Sequence, residues 1–298
     1  AIGNRNLMSN ELCPVTTDVA RAARVLSSGG LVAFGTETVY GLGANALNEV
    51  AVARVFEAKN RPHFDPLIVH IADREWLHRL VDELSPAATL LADTFWPGPL
   101  TMVLPRREIV PDLVTSGLPT VAVRMPNHPL ALELLTAVDL PIAAPSANPF
   151  GQISPTTAQH VLDNLGGRID LILDGGPCEV GVESTVVLMT GERPCVLRHG
   201  GVTIEQLELV LGPVDVQRSV DDDGDASSST SELESPAAAM SPGMLSQHYS
   251  PTTPLALLSN VDVRSIVGKR VGLLRLVRRP ATTGSIDEFA AVETLTED

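Results

Sequence analysis

Over roughly the first two-thirds of the chain, short unbroken apolar runs alternate with longer stretches in which apolar residues return every three or four positions. The runs LVAF at Leu31, LIVHI at Leu67, LTMVL at Leu100, TVAVR at Thr120, PIAA at Pro141, LILD at Leu171 and STVVLM at Ser184 predict buried strands. Between them VARAARVLSS, EVAVARVFEAKN, HPLALELLTAV and TTAQHVLDNL have helical spacing. Thr16, Thr17 and Asp18 supply a cap for the first helix, and Gly29 and Gly30 stop it. A last helix, TIEQLELVL, closes at Gly212 and Pro213, which predicts a domain boundary. Residues 1–213 therefore read as one α/β domain built on a twisted, mixed, open sheet.

The pattern then changes. Residues 221–239 (DDDGDASSSTSELESPAAA) have too little apolar content to build a core, and the span 214–254 reads as an acidic linker that includes SPGMLSQHYSP. Beyond it, TPLALLS and RVGLLRLV predict two strands of a further, Rossmann-like α/β unit over 255–298. So short a stretch buries little surface by itself, and it is expected to be a partial domain.

Composition sharpens this picture in three ways. Only 3% of residues are aromatic against 44% hydrophobic, so the core is expected to be aliphatic and closely layered. The formal net charge of −15 opposes a main role in coating nucleic acid, although it leaves room for a local basic cavity. Cys13, Cys178 and Cys195 are scattered and odd in number, which indicates neither a disulfide framework nor a zinc site and suits a reducing compartment. No apolar run approaches a membrane span, and a cytoplasmic protein is expected.

Several stretches carry more polar chemistry than their surroundings require. Lys59 and Arg61, two residues apart before Pro62 and an apolar strand, read either as an exposed helix terminus that favours the macrodipole or as a pair sharing one face of extended backbone, where they would suit an anion. The glycine-punctuated GTETVYGLGANA contains Thr36, Thr38 and Tyr40. It reads equally as a tight connection or as a ligand-approach loop, and it lacks the spacing of a Walker or dinucleotide fingerprint. PSANPFGQISP sets Ser146 and Asn148 in an irregular segment after a buried strand, and Arg124 and Arg198 stand at strand ends. His70, inside LIVHI, fits a hydrogen-bonded core residue as well as a ligand. WPGPLT at Trp96 reads as a rigid turn.

Together with the LILDGGPCEVGVESTVV and SPGMLSQHYSP segments, these stretches resemble the threonylcarbamoyl-AMP synthases of the Sua5/YrdC family, over about residues 16–255 and in the family's longer form. The resemblance implies a large, positively lined central cavity. It also implies a reaction in which L-threonine, bicarbonate or CO2 and ATP, with Mg2+, give threonylcarbamoyl-AMP and pyrophosphate, the product passing to a separate tRNA threonylcarbamoyl transferase. Lys59 and Arg61 match the family's KxR pair and Ser146 and Asn148 its SxN pair, expected at the nucleotide phosphates. Thr38, His70, Arg124 and Ser184 are implied to hold threonine, while Arg61, Asp65, Thr120, Ser146, Ser154 and Arg198 line the ATP side. His248 and Tyr249 are implied to close over the nucleotide. Gly35 stands where the family usually has Pro and is expected to loosen the Thr36–Thr38 loop. Leu245, Ser246 and Gln247 replace the family's usual basic or aromatic linker residue. Transient contact with tRNA is implied as well. Two alternatives remain: a non-catalytic RNA-binding module, and a domain that handles carbamoyl-adenylate.

Overall fold

A computed structural model describes residues 13–217 in full, together with the backbone of two further strands at 272–275 and 291–294. Chain contacts divide the molecule between Ser250 and Pro251 into two units. In the second, Gly272–Arg275 and Ala291–Thr294 pair in parallel. The first of these strands lies within the predicted RVGLLRLV; TPLALLS, the linker and its His248 and Tyr249 lie outside the described residues.

The first unit is built on a mixed sheet of eleven strands. In chain order these are β1 (Val15–Thr16), β2 (Val32–Phe34), β3 (Gly41–Asn45), β4 (Ile68–His70), β5 (Leu100–Pro105), β6 (Thr120–Arg124), β7 (Ile142–Ala143), β8 (Leu171–Leu173), β9 (Thr185–Leu188), β10 (Cys195–Arg198) and β11 (Asp215–Val216). Their spatial order is β1-β8-β2-β3-β7-β4-β6-β5-β9-β10-β11. Parallel pairs (β4 with β6, β5 with β9) interleave with antiparallel ones (β3 with β7, β5 with β6), which confirms the expected mixed sheet.

The helices begin where the sequence offers caps. Asp18 accepts from Arg21 N at the start of α1 (Val19–Ser27), and Asn48 accepts from Val50 N and Ala51 N at the start of α2 (Glu49–Lys59). After the short α3 (Leu77–Leu80), Ser85 caps α4 (Pro86–Phe95) with Pro at its first position, where no amide hydrogen is needed. The short α5 (Asp112–Thr115) precedes α6 (Pro129–Val138), which His128 caps; Thr157 caps α7 (Ala158–Leu165). Thr203 and Gln206 form a reciprocal capping box on α8 (Ile204–Leu211).

Two sequence readings change. Lys59 is the last residue of α2 and Asn60 adopts a left-handed conformation (φ 52°), so Lys59 and Arg61 do not alternate along extended backbone. They are brought together by the turn that ends the helix. The second half of GTETVYGLGANA is a buried strand, β3, not loop. The sheet also continues past the Gly212–Pro213 stop. Gly212 (φ 75°) reverses the chain, and β11 adds to the edge of β10.

The period-two alternation of the strands sorts the side chains into two environments. Val69, Leu100, Met102, Leu104, Val121, Val123, Val187 and Val196 point into the main apolar core. The intervening residues Ile68, Val103, Ala122, Val186 and Leu197 form a small cluster whose buried members all come from strands. His70, Thr101, Arg124 and Ser184 have the same parity as that cluster. At the other end of the sheet α1 and α6 pack over Val32, Phe34, Ile142, Leu171 and Leu173. Polar side chains thus collect on the stretch of this face beyond those two helices.

Candidate active site

A pocket enclosing about 430 Å³, part of it open to solvent, lies on that stretch. Arg61, His70, Arg124, Ser146, Glu183 and Arg198 contribute its polar wall, with Thr36, Val39, Gly41, Ile68, Ala144 and Pro145. The wall divides into two halves.

The first half is organised by the loop between β2 and β3. The Thr36 hydroxyl donates to Val39 O (2.7 Å), contacts Thr38 Oγ1 (2.9 Å) and accepts from the amides of Thr38 and Val39 (both 3.2 Å). Every residue from Gly30 to Ala44 is buried. The Gly35 position therefore sits in a tightly tied loop; a Cβ there would come within 3.1 Å of the Tyr40 ring. Arg124, at the end of β6, donates from Nη1 to Thr38 Oγ1 (2.8 Å) and from Nε to Gly98 O (3.3 Å), while Nη2 lies 2.6 Å from the Glu37 carboxylate. His70 stands beside it, since β4 and β6 pair with His70 opposite Arg124. Burial, and then the Arg124 charge, push the His70 pKa down to about 3, so the imidazole is neutral at physiological pH. Its Nδ1 has no hydrogen-bond partner.

Ser184 connects the halves. Its hydroxyl contacts Thr101 Oγ1 (2.7 Å), and Arg198 donates to both its carbonyl and its hydroxyl (2.9 and 3.0 Å). Glu183 lies 3.5 Å from Arg198 and accepts from the Ser154 hydroxyl (2.8 Å).

The second half is the Lys59–Arg61 turn against the PSANPF segment. Arg61 pairs with the fully buried Asp65 (2.9 Å) and donates to Pro66 O (2.9 Å). Burial raises the Asp65 pKa, while Arg61 and Lys59 oppose that shift. Lys59 is also fully buried, and its ammonium donates to the carbonyl oxygens of Ser146 and Asn148. Its own carbonyl accepts from Phe150 N (2.8 Å). Desolvation, and then the neighbouring Arg61, hold the Lys59 pKa well below the ordinary lysine value. Asn148 donates to Pro149 O and Gln152 O (2.9 and 2.8 Å), which fixes the turn that follows Ser146.

The structure brings together Thr38, His70, Arg124 and Ser184 on one side and Lys59, Arg61, Asp65, Ser146, Asn148 and Arg198 on the other. Arg61, His70, Arg124, Ser146 and Arg198 reach the pocket wall, whereas Lys59 stands behind it as a strut of the Ser146 segment. Ser154 is joined to the wall through Glu183. Thr120, at the opposite end of β6 from Arg124, lies outside the wall. Sequence reading passed over Glu37 and Glu183, although both were embedded in the quoted motifs. For Glu37 the available signal was an acid between two threonines in a buried stretch, because such a group needs a cationic partner; Glu183, beside the exposed Val182, gave none. Among the described residues no cluster of three or more His, Cys, Asp or Glu is placed to hold a metal ion, and no helix is long and apolar enough to cross a membrane.

Two family models cover nearly the whole of this architecture. Residues 24–200 match the Sua5/YciO/YrdC model, described as telomere recombination, and residues 202–294 match the model of the threonylcarbamoyl-AMP synthase C-terminal domain. The chain belongs to the threonylcarbamoyl-AMP synthase family. It is 46% identical over 276 residues to the synthase of Bacillus subtilis, covering 90% of this chain and 76% of the relative. It is 48% identical over 237 residues to that of Pyrococcus abyssi, covering 80% of this chain and 66% of the relative. The crystal structure of P. abyssi Sua5 complexed with L-threonine superposes with a TM-score of 0.80 at 41% identity, over 96% of this chain and 84% of that one. A full-length HypF structure shares the fold at 22% identity (TM-score 0.55), covering 62% of this chain and 29% of that one.

Proposed function

We propose that this member of the family makes threonylcarbamoyl-AMP and pyrophosphate from L-threonine, bicarbonate or CO2, and ATP. The observation that carries the reading is the two-sided wall: Arg124 and His70 on one side, Arg61, Arg198 and Ser146 on the other, with Thr38 and Ser184 bonded to its arginines from behind. Arg124 suits the threonine carboxylate, since a guanidinium offers paired donors to a planar anion. Neutral His70 leaves the substrate amine free of a competing cation. The complex of the P. abyssi relative with L-threonine supports threonine as the amino-acid substrate.

The amine, once deprotonated, adds to CO2 to form an N-carboxylate, whose oxygen then attacks the α-phosphorus of ATP. The bond from that phosphorus to the bridging oxygen of the β-phosphate breaks, and pyrophosphate leaves. This step depends on alignment and on offsetting negative charge, a role assigned to Arg61 and Arg198; it calls for no protein nucleophile. Lys59 contributes by fixing the backbone that presents Ser146. Magnesium is read as entering with ATP, because the pocket acids are already committed to arginines and Ser154. Thr120, Asn148, His248 and Tyr249 are assigned to the nucleotide side by family resemblance. The adenylate then passes to a separate transferase acting on tRNA, in the cytoplasm.

The test is pyrophosphate release by the full chain with MgATP. Release that requires both L-threonine and bicarbonate is expected. Release independent of threonine, or threonine and ATP binding with no release, would overturn the reading; the latter outcome favours a non-catalytic module or carbamoyl-adenylate handling.

A further inference from the structure

Glu37 is 4% exposed, and neither of its carboxylate oxygens makes an aligned hydrogen bond in the protein. It faces Arg124 Nη2 at 2.6 Å, and that nitrogen also makes no aligned hydrogen bond. The two form a buried ion pair, and neither Glu37 oxygen has another partner in the protein. Its backbone is anchored independently: Glu37 O accepts from Val180 N (2.8 Å) and Thr38 O from Gly181 N (3.1 Å). A buried acid costs stability unless it is matched, so its position behind the pocket arginine requires an explanation beyond loop packing.

We propose that Glu37 is a specificity-determining residue: it positions Arg124 and makes the amino-acid subsite select zwitterionic substrates over simple carboxylates. Glu37 does not line the pocket; it acts through Arg124 and through space. Alone, a buried guanidinium would attract any carboxylate. Beside Glu37, Arg124 forms a neutral pair of opposite charges, and a ligand placing its carboxylate on Arg124 brings a second anion into the same low-dielectric region. An α-ammonium on the ligand offsets that second anion; a ligand without one does not. The inference rests on the assignment of threonine to Arg124.

The experiment compares L-threonine with 3-hydroxybutyrate, which keeps the carboxylate and the hydroxyl but lacks the amine, by titration calorimetry on the full chain. The wild type is expected to bind L-threonine at least about tenfold more tightly, the scale of one offset charge at partial burial. Glu37→Gln, which removes the charge and retains the shape, is expected to reduce that ratio at least threefold, and Glu37→Asp to keep most of it. If the wild type binds L-threonine and 3-hydroxybutyrate equally, or if Gln and Asp change the ratio alike, Glu37 does not select by charge. Equal wild-type affinities would overturn the proposal even if the Gln variant does not fold. Failure of the wild type to bind L-threonine at all would instead overturn the assignment of the subsite.

Discussion

At the scale of single residues, burial displaces the pKa values of His70, Lys59 and Asp65, and the first two residues each lead to a measurable consequence. His70 is neutral in the fold with a pKa near 3, against about 6.5 in an unfolded chain. Between those values the unfolded state binds one proton more than the folded state. The contribution is absent above pH 6.5, and stability falls as pH drops, by up to about 1.4 kcal/mol per unit. Urea midpoints measured from pH 7 to 5 are expected to show this slope, and His70→Asn to flatten it; an unchanged slope would mean that His70 is not the group responsible. Lys59 serves a different end. Its ammonium ties the carbonyls of Ser146 and Asn148, so Lys59→Met retains the stem and removes the tie. Pyrophosphate release is expected to fall at least about tenfold, the loss of two charge-assisted hydrogen bonds. Threonine affinity should stay within about twofold, because Arg124 is braced separately by Thr38 and Gly98. A parallel loss of threonine binding would show that the two halves of the wall are not independent.

At the scale of elements, the turn after β10 leaves no room for a side chain at Gly200. A Cβ at Gly200 would meet the backbone of the strand-entry segment beside it, at 2.3 Å from Glu183 O and 2.4 Å from Thr185 N. Those atoms belong to the segment that carries Ser184, so Gly200→Ala must push it away from Arg198. The expected result is a destabilisation of about 2 kcal/mol or more, with threonine binding weakened. A variant of wild-type stability and affinity would show that the turn adapts. No apolar pattern announces this constraint. The long strands β5 and β6 were legible because burial imposes period two on them, and α1 because Asp18 announces its start, whereas α4 (Pro86–Phe95), capped by Ser85, was passed over. Strand β3 was not legible: GLGAN has no β-branched residue, and its place in the sheet comes from the antiparallel partners β2 and β7. The Lys59–Arg61 turn was misread for a related reason. Pro62 suggested extended backbone, whereas the left-handed Asn60 already ends the helix and lets both side chains face the PSANPF segment. Glu37 was missed because its partner, Arg124, lies 87 positions away in sequence and meets it only through the sheet.

At the scale of the whole molecule, the distribution of charge separates a small-molecule enzyme from an RNA-coating module. The chain carries −15, while the cations that matter are withdrawn from the surface: Lys59, Arg61 and Arg124 are each at most 6% exposed. Arg61 and Arg124 also have a carboxylate within 3 Å. Charges buried and paired in this way are screened weakly by salt, whereas an interface that neutralises six or more phosphates loses about a thousandfold in affinity between 50 and 200 mM salt. ATP binding is therefore expected to weaken only slightly over that range, by less than about threefold. Binding of bulk tRNA is expected to be no tighter than the loose non-specific range of about 10⁻⁴ M at physiological salt. Parallel titrations of ATP and tRNA at the two salt concentrations distinguish the cases. A tRNA affinity that is micromolar and falls steeply with salt would mean that a basic surface dominates the molecule despite its net charge, and would revive the RNA-binding alternative. A flat ATP response with negligible tRNA binding would leave the buried arginines as anion sites for small substrates.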